Sequence, residues 1–194
     1  MHFCRWCAST SHEERVEAEL VEGNIIVWKP EDGRRLFGKG YYGKPLGVPK
    51  PKSNDFNVPL ILDLIEAMYL LEKGLIKVTM SGQELSADEI LSRGAQSYDR
   101  LHAKYLVYRD LREKGFIVTP GIKFGSDFAV YKQGPGIDHA PFMIQVTLKS
   151  DEFSAAEIVR SGRLATTVKK EFTVAVPDPV NEKVEYITFK WWKA

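Results

Sequence analysis

The sequence predicts an α/β (α+β) protein: a small N-terminal α/β domain over residues 1–92, then a C-terminal mixed sheet flanked by helices over residues 93–194. Three observations carry this prediction. Short alternating apolar stretches are interleaved with longer helical ones in both halves. Between residues 80 and 97 the chain changes character, and a long charged amphipathic helix follows. The second half then reads helix, three strands, helix, two strands, an order in which the second helix crosses between strands and packs on their sheet.

Residues 16–28 alternate apolar and polar side chains and read as a hairpin turning at Gly23-Asn24. Residues 30–34 read as a second turn. Residues 38–54, rich in Gly, Pro, Lys and Tyr, read as a long loop, because Pro45, Pro49 and Pro51 exclude a helix. Residues 59–73 predict a helix: Leu60, Leu62, Ile65, Met68, Tyr69 and Leu71 fall together on the wheel, and Gly74 stops it. Residues 76–80 form a short strand. Ser86 with Glu89 three residues on is a capping box that opens another helix.

In the second half, residues 98–114 predict an amphipathic helix with Leu101, Tyr105, Tyr108 and Leu111 on one face and Gly115 as its stop. Strands follow at residues 116–118, 128–131 and 142–148. Ser154 and Glu157 form a second capping box, heading a helix that runs to Lys169. Residues 172–176 and 184–192 are the last strands, joined by a turn at 177–182.

Composition is that of an ordinary soluble globular chain, 44% hydrophobic and 27% charged. No apolar run approaches the roughly 18 residues that span a bilayer, and the N-terminus does not lead into a signal peptide. The chain therefore reads as cytoplasmic, with no membrane partner. A net charge of +1 excludes nothing about nucleic acid, since local arrangement sets the field; residues 95–194 hold 15 Lys/Arg against 12 Asp/Glu, a mild basic tilt. Cys4 and Cys7 form a lone Cys-x-x-Cys. His2 and His12 are spaced like no common zinc finger, and no strand–helix context marks a redox site. The pair reads first as incidental thiols, with redox and metal roles left open.

Three residues could carry chemistry. Tyr131 ends a strand before the turn Gln133-Gly134-Pro135-Gly136, His139 sits in the loop that follows, and Lys170 closes the long helix. Strand ends and loops are common places to gather reactive groups. A phenol, an imidazole and an ammonium could together serve RNA cleavage by its own 2′-hydroxyl. That reaction needs a base, an acid for the departing 5′-oxygen and positive charge for the developing dianion, with no obligatory metal. From spacing alone, packing and solvated roles explain the three residues better than chemistry does, and the lysine suits a helix C-terminus without further purpose.

The stretch Lys123-Phe124-Gly125-Ser126-Asp127-Phe128-Ala129-Val130-Tyr131 closely resembles the segment that marks catalytic subunits of the archaeal tRNA-splicing endonucleases. Tyr108 to Val118 resembles that family's preceding helix and strand, and Arg163-Leu164-Ala165-Thr166-Thr167-Val168-Lys169-Lys170 its lysine-bearing helix. In the first half, Tyr41-Tyr42-Gly43-Lys44-Pro45 and Glu66-Ala67-Met68-Tyr69-Leu70-Leu71 also fit. The resemblance covers roughly residues 16–192 and implies that the C-terminal half is a nuclease domain.

The resemblance further implies Tyr131 as general base on the 2′-OH, His139 as general acid and Lys170 as charge stabiliser, with adjacent Lys169 competing for the lysine's place. Metal and cofactor are both absent from this scheme. Products would be a 2′,3′-cyclic phosphate and a 5′-hydroxyl. A tyrosine must ionise to act as a base, and a neighbouring cation favours that. Arg163 and Trp191 fit the pair with which relatives pin a splayed bulge base, a stack worth about 1–3 kcal/mol. Lys44, in its basic aromatic loop with Lys50 and Lys52, is a further expected RNA contact. The implied partners are precursor tRNA with a bulge-helix-bulge fold and three further units, as a homo-oligomer or a hetero-tetramer with a structural subunit. The turn bearing Asp178 and Glu182 is the expected docking loop, and Trp191-Trp192 and residues 142–148 the expected interface.

Two rivals stand beside this reading. Asp127, Gln145 and Lys149 resemble, faintly, the site of a metal-dependent restriction-type nuclease, although Gln145 and Lys149 are four apart where that motif expects two. A non-catalytic structural subunit or RNA-binding module is the other, disfavoured because all three positions of the trio are retained.

Overall fold

A computed structural model describes residues 14–49, 51, 53–96, 98–137 and 139–190. Cys4, Cys7, Lys50, Lys52, Trp191 and Trp192 lie outside the described residues. Over the described residues the fold is α+β, with two mixed sheets and five α-helices in N-terminal and C-terminal domains.

The N-terminal domain opens with a hairpin, β1 (Val16–Val21) and β2 (Asn24–Val27). Its turn is Glu22-Gly23, one residue earlier than the sequence suggested. Both turn residues have positive φ, 48° and 81°, as a two-residue hairpin turn of the primed type requires. Asn24 already pairs with Val21.

The expected turn at 30–34 is instead the start of a helix, α1 (Pro30–Gly40). Pro30 occupies the first turn, where its missing N–H costs nothing. Glu31 and Asp32 face the positive end of the helix dipole, and Leu36 and Phe37 are buried. Its glycines disguised it; Gly33 packs so closely on Leu60 that a Cβ there would approach to 3.0 Å. The helix ends at Tyr41, left-handed at φ 56°, and the long loop after it carries a two-residue strand, β3 (Lys44–Pro45).

The apolar run from residue 59 divides in two. Leu60 and Leu62 alternate inward on β4 (Leu60–Leu62), paired with β2. Asp63 then caps α2 (Leu64–Glu72) in a capping box with Glu66. The buried Glu66 carboxylate also accepts from the Gly43 N–H, at 3.2 Å to either oxygen. Gly74 stops this helix, as expected. β5 (Ile76–Met80) and β6 (Gln83–Leu85) complete a sheet of order β3-β4-β2-β1-β5-β6, in which β1 and β5 run parallel. The expected capping box opens α3 (Ala87–Gly94).

Helix α4 (Leu101–Glu113) joins the two halves. Leu101, Tyr105, Tyr108 and Leu111 are all buried, in one core that reaches from Leu60 and Ile65 to Val118, Phe128 and Val146 of the second sheet. Each such side chain withdrawn from water is worth about 1.5–3 kcal/mol. Arg112, also of α4, is buried at the junction. Its guanidinium donates to the Tyr108 hydroxyl at 2.8 Å, the Gly40 carbonyl at 2.8 Å and the Val118 carbonyl at 3.2 Å.

The second sheet comprises β7 (Ile117–Pro120), β8 (Phe128–Tyr131), β9 (Phe142–Val146), β10 (Glu171–Asp178) and β11 (Lys183–Phe189), in the order β11-β10-β9-β8-β7. β9 and β10 run parallel, which requires a crossover; α5 (Ala155–Thr167) supplies it, headed by the expected Ser154–Glu157 capping box. Among the described residues, no helix is long and apolar enough to cross a membrane.

Candidate active site

Three segments meet at one end of the second sheet. Val130 of β8 pairs with Phe142 of β9, and Phe142 with Glu171 of β10. One residue further out, Tyr131, Pro141 and Lys170 form the next row. Two strand spacings place the Cα atoms of Tyr131 and Lys170 roughly 10 Å apart. Side chains alternate across a strand. Phe128 and Val130 belong to the core on the α4 side, so Tyr131 faces the α5 side. Phe172 and Val174 pack there with Ala165 of α5, and Lys170 has their parity. The Lys170 ammonium lies 4.9 Å from the centre of the Phe124 ring, on that same side.

The end of α5 determines which lysine reaches the site. Lys169 takes the left-handed conformation, φ 55°, and the Lys170 N–H returns to the Ala165 carbonyl at 2.8 Å, the crossed pattern that closes a helix. Lys169 is exposed, whereas Lys170 is half-buried. Its Nζ donates to the Ala140 carbonyl at 2.7 Å. Ala140 follows His139 directly, and the Glu171 N–H donates to the Pro141 carbonyl at 2.8 Å. His139 itself is exposed, at the mouth of the strand that this pair of bonds anchors.

Arg163 is exposed on α5, seven residues before Lys170, and lines a shallow depression with Ala155, Ala156, Val159 and Arg160. Its proposed stacking partner, Trp191, lies outside the described residues. Lys44 is exposed on β3 in the other domain, so it is not part of the row. It is nevertheless linked to the site: three residues before it, the Tyr41 ring packs on Gly134, in the loop that leads to His139. Sequence reasoning noticed the Gly134-Pro135-Gly136 turn but not what it abuts. The roles of Phe124 and the Ala140 carbonyl were also missed, the latter because a main-chain acceptor leaves no sequence signal.

Of the residues of the restriction-type reading, Asp127 and Gln145 meet, but Lys149 does not join them. The Asp127 carboxylate takes donors from Lys104 at 3.0 Å, Gln145 at 2.9 Å and the Val146 N–H at 2.7 Å. Lys149 pairs with Asp178, at 3.0 Å. Hydrogen bonds from Asn181 and Lys149 hold the Asp178 carboxyl well below the usual range. With Glu182 bonded to Arg109 at 3.0 Å, both acidic groups of the expected docking turn have partners within their own chain.

A mixed sheet gathering tyrosine, histidine and lysine at one end, backed by a smaller α/β domain, defines a class to which both halves can be compared. The model of the tRNA intron endonuclease N-terminal domain matches residues 16–91, and that of the catalytic C-terminal domain matches residues 101–186. The tRNA-splicing endonuclease of Hyperthermus butylicus is 42% identical over 179 residues, 92% of this chain and 99% of the relative. That of Sulfurisphaera tokodaii is 42% identical over 176 residues, 90% and 98% of the two chains. That of Saccharolobus solfataricus is 41% identical over 180 residues, 92% and 99%. The chain belongs to the tRNA-splicing endonuclease family.

Proposed function

We propose that this chain is a catalytic subunit that cuts precursor tRNA at its intron–exon junctions, within a bulge-helix-bulge fold, without a metal. Tyr131 accepts the proton of the 2′-hydroxyl, whose oxygen attacks the adjacent phosphorus. The bond to the 5′-oxygen breaks, and His139 delivers a proton to that oxygen. Lys170 offsets the charge that develops on the phosphoryl oxygens. A 2′,3′-cyclic phosphate and a 5′-hydroxyl result. The observation that carries this reading is the Lys170–Ala140 bond, 2.7 Å long. It ties the cation to the histidine's loop, in the row that Tyr131 shares.

Arg163 and Trp191 pin a splayed base, and Lys44 reaches RNA from the N-terminal domain, with the division between domains at 92/93. Two such sites in a four-unit assembly serve the two cuts of one intron. The test is incubation of the full chain, with and without a structural subunit, with a bulge-helix-bulge RNA in excess EDTA, beside His139→Ala. Cyclic-phosphate ends from the wild type and none from the variant are expected. Cleavage that needs magnesium would overturn the metal-free mechanism. Silence under every condition, partner included, would favour a structural subunit.

A further inference from the structure

The loop that carries His139 is held at two places. On one side the Ala140 carbonyl accepts from Lys170 at 2.7 Å and the Pro141 carbonyl from the Glu171 N–H at 2.8 Å. On the other, Gly134 is buried beneath the Tyr41 ring. A Cβ at Gly134 would lie 2.5 Å from Cε2 of Tyr41, 2.8 Å from Cζ and 3.0 Å from Cδ2, and Gly134 has φ 135°. Only a residue without a side chain can make that approach in that conformation. The chain then turns, the Ile137 N–H returning to the Gly134 carbonyl at 3.1 Å.

Tyr41 is itself unusual. It ends α1 in the left-handed region, φ 56°, a place normally filled by Gly or Asn. A bulky side chain there is disfavoured and persists only where its surroundings require it. Its N–H is fixed to the Phe37 carbonyl at 2.7 Å, and its ring meets Phe37 edge-on with centroids 5.3 Å apart. The ring is therefore a rigid extension of α1, aimed across the domain junction at the loop of the general acid.

We propose that Tyr41 is a positioning residue for His139: its ring sets Gly134 and thereby the placement of the imidazole at the leaving oxygen. The contact uses the face and edge of the ring, so the hydroxyl is dispensable. The inference rests on the role of His139 proposed above. Because Tyr41 also opens the segment ending in Lys44, the RNA-facing edge of the N-terminal domain and the acid's loop share one mechanical support.

The test compares full-length wild type, Tyr41→Ala, Tyr41→Phe, Gly134→Ala and His139→Ala in cleavage of a bulge-helix-bulge RNA, with hydrogen exchange of the peptide covering residues 132–140. A displacement of about 1 Å at a reacting group costs roughly 100-fold, so Tyr41→Ala is expected to lower kcat by about 10- to 100-fold with KM within about twofold. Exchange of the 132–140 peptide should quicken while that of α2 and α4 does not, and Tyr41→Phe should restore both. Gly134→Ala, which displaces the ring from the other side, should lower kcat likewise, and it carries the test if Tyr41→Ala does not fold. Unchanged kcat in Gly134→Ala, a change in KM alone, or equal losses in Tyr41→Phe and Tyr41→Ala would each overturn the proposal. If His139→Ala cleaves normally, the reading of the site fails; a defect in His139→Ala with none at Tyr41 or Gly134 sinks the positioning role alone.

Discussion

The guanidinium of Arg112 lies 4.3 Å from the centre of the Tyr42 ring, a cation from the C-terminal domain seated on an aromatic of the N-terminal one. With its three hydrogen bonds, Arg112 satisfies main-chain carbonyls in both domains, at Gly40 and Val118. Arg112→Met would leave both buried acceptors unpaired and should destabilise by about 3 kcal/mol or more in urea denaturation. Arg112→Lys should recover only part of this, because a single ammonium cannot reproduce the planar fork.

Lys170 and Lys169 are neighbours with different surroundings, and substitution should separate them. Lys170→Ala is expected to slow single-turnover cleavage by roughly 100-fold or more, the usual cost of removing one donor aimed at developing charge. Lys169→Ala, at an exposed helix cap, should stay within about twofold at this order-of-magnitude scale. Equal losses would show that the helix end, and not the ammonium at Ala140, matters.

Glu66 should make stability depend on pH. Burial pushes its carboxyl up from 4.5 to about 7, opposed by the Asp63 N–H bond and raised further by the charge of Asp63. The fold thus favours the protonated form. The associated stability is fully present below pH 4.5 and is lost as pH rises to about 7. Glu66→Gln keeps an oxygen for the capping box and cannot titrate. Urea denaturation at pH 4.5 and pH 8 should show the wild type losing on the order of 3 kcal/mol relative to the variant. Parallel behaviour of the two proteins would refute the assignment.

Asp127 is expected to matter for stability and not for chemistry. Asp127→Ala strands Lys104 and the Val146 N–H, at a cost of about 2–4 kcal/mol in thermal or chemical unfolding. Below its melting temperature the variant should still cleave RNA in EDTA. An intact fold with no cleavage would return this carboxylate to the reaction.

The elements legible in the sequence were those with a chemical marker at their ends. Ser86–Glu89 and Ser154–Glu157 announce their helices, and Gly74 and Gly115 close theirs. Helix α1 was hidden by Pro30, Gly33, Gly38 and Gly40, each a turn residue out of context. Residues 59–73 were misread because the apolar run Leu60-Ile61-Leu62 leads almost directly into Leu64-Ile65 of the helix, and a three-residue strand is too short for periodicity to separate from a helix. Strands β3 and β6 were too short to notice at all. At the candidate site, Tyr131, His139 and Lys170 were singled out through the resemblance of their motif. The contacts that bind their segments together, Lys170 to Ala140 and Tyr41 to Gly134, join residues distant in sequence and leave no local pattern.

The single core shared by the two sheets has a consequence for how the chain is made. Leu64 and Leu101 crowd Gly94 so closely that an added Cβ would lie 3.0 and 2.6 Å from them, and Tyr108 meets Tyr69 edge-on. During synthesis α2, which packs on the first sheet, emerges before α4 exists to cover its other side. It must wait, apolar face open, until residue 113 has cleared the ribosome. Nascent domains commonly fold as units from the N-terminus; here the first unit cannot finish alone, and α4 is the clasp that completes it.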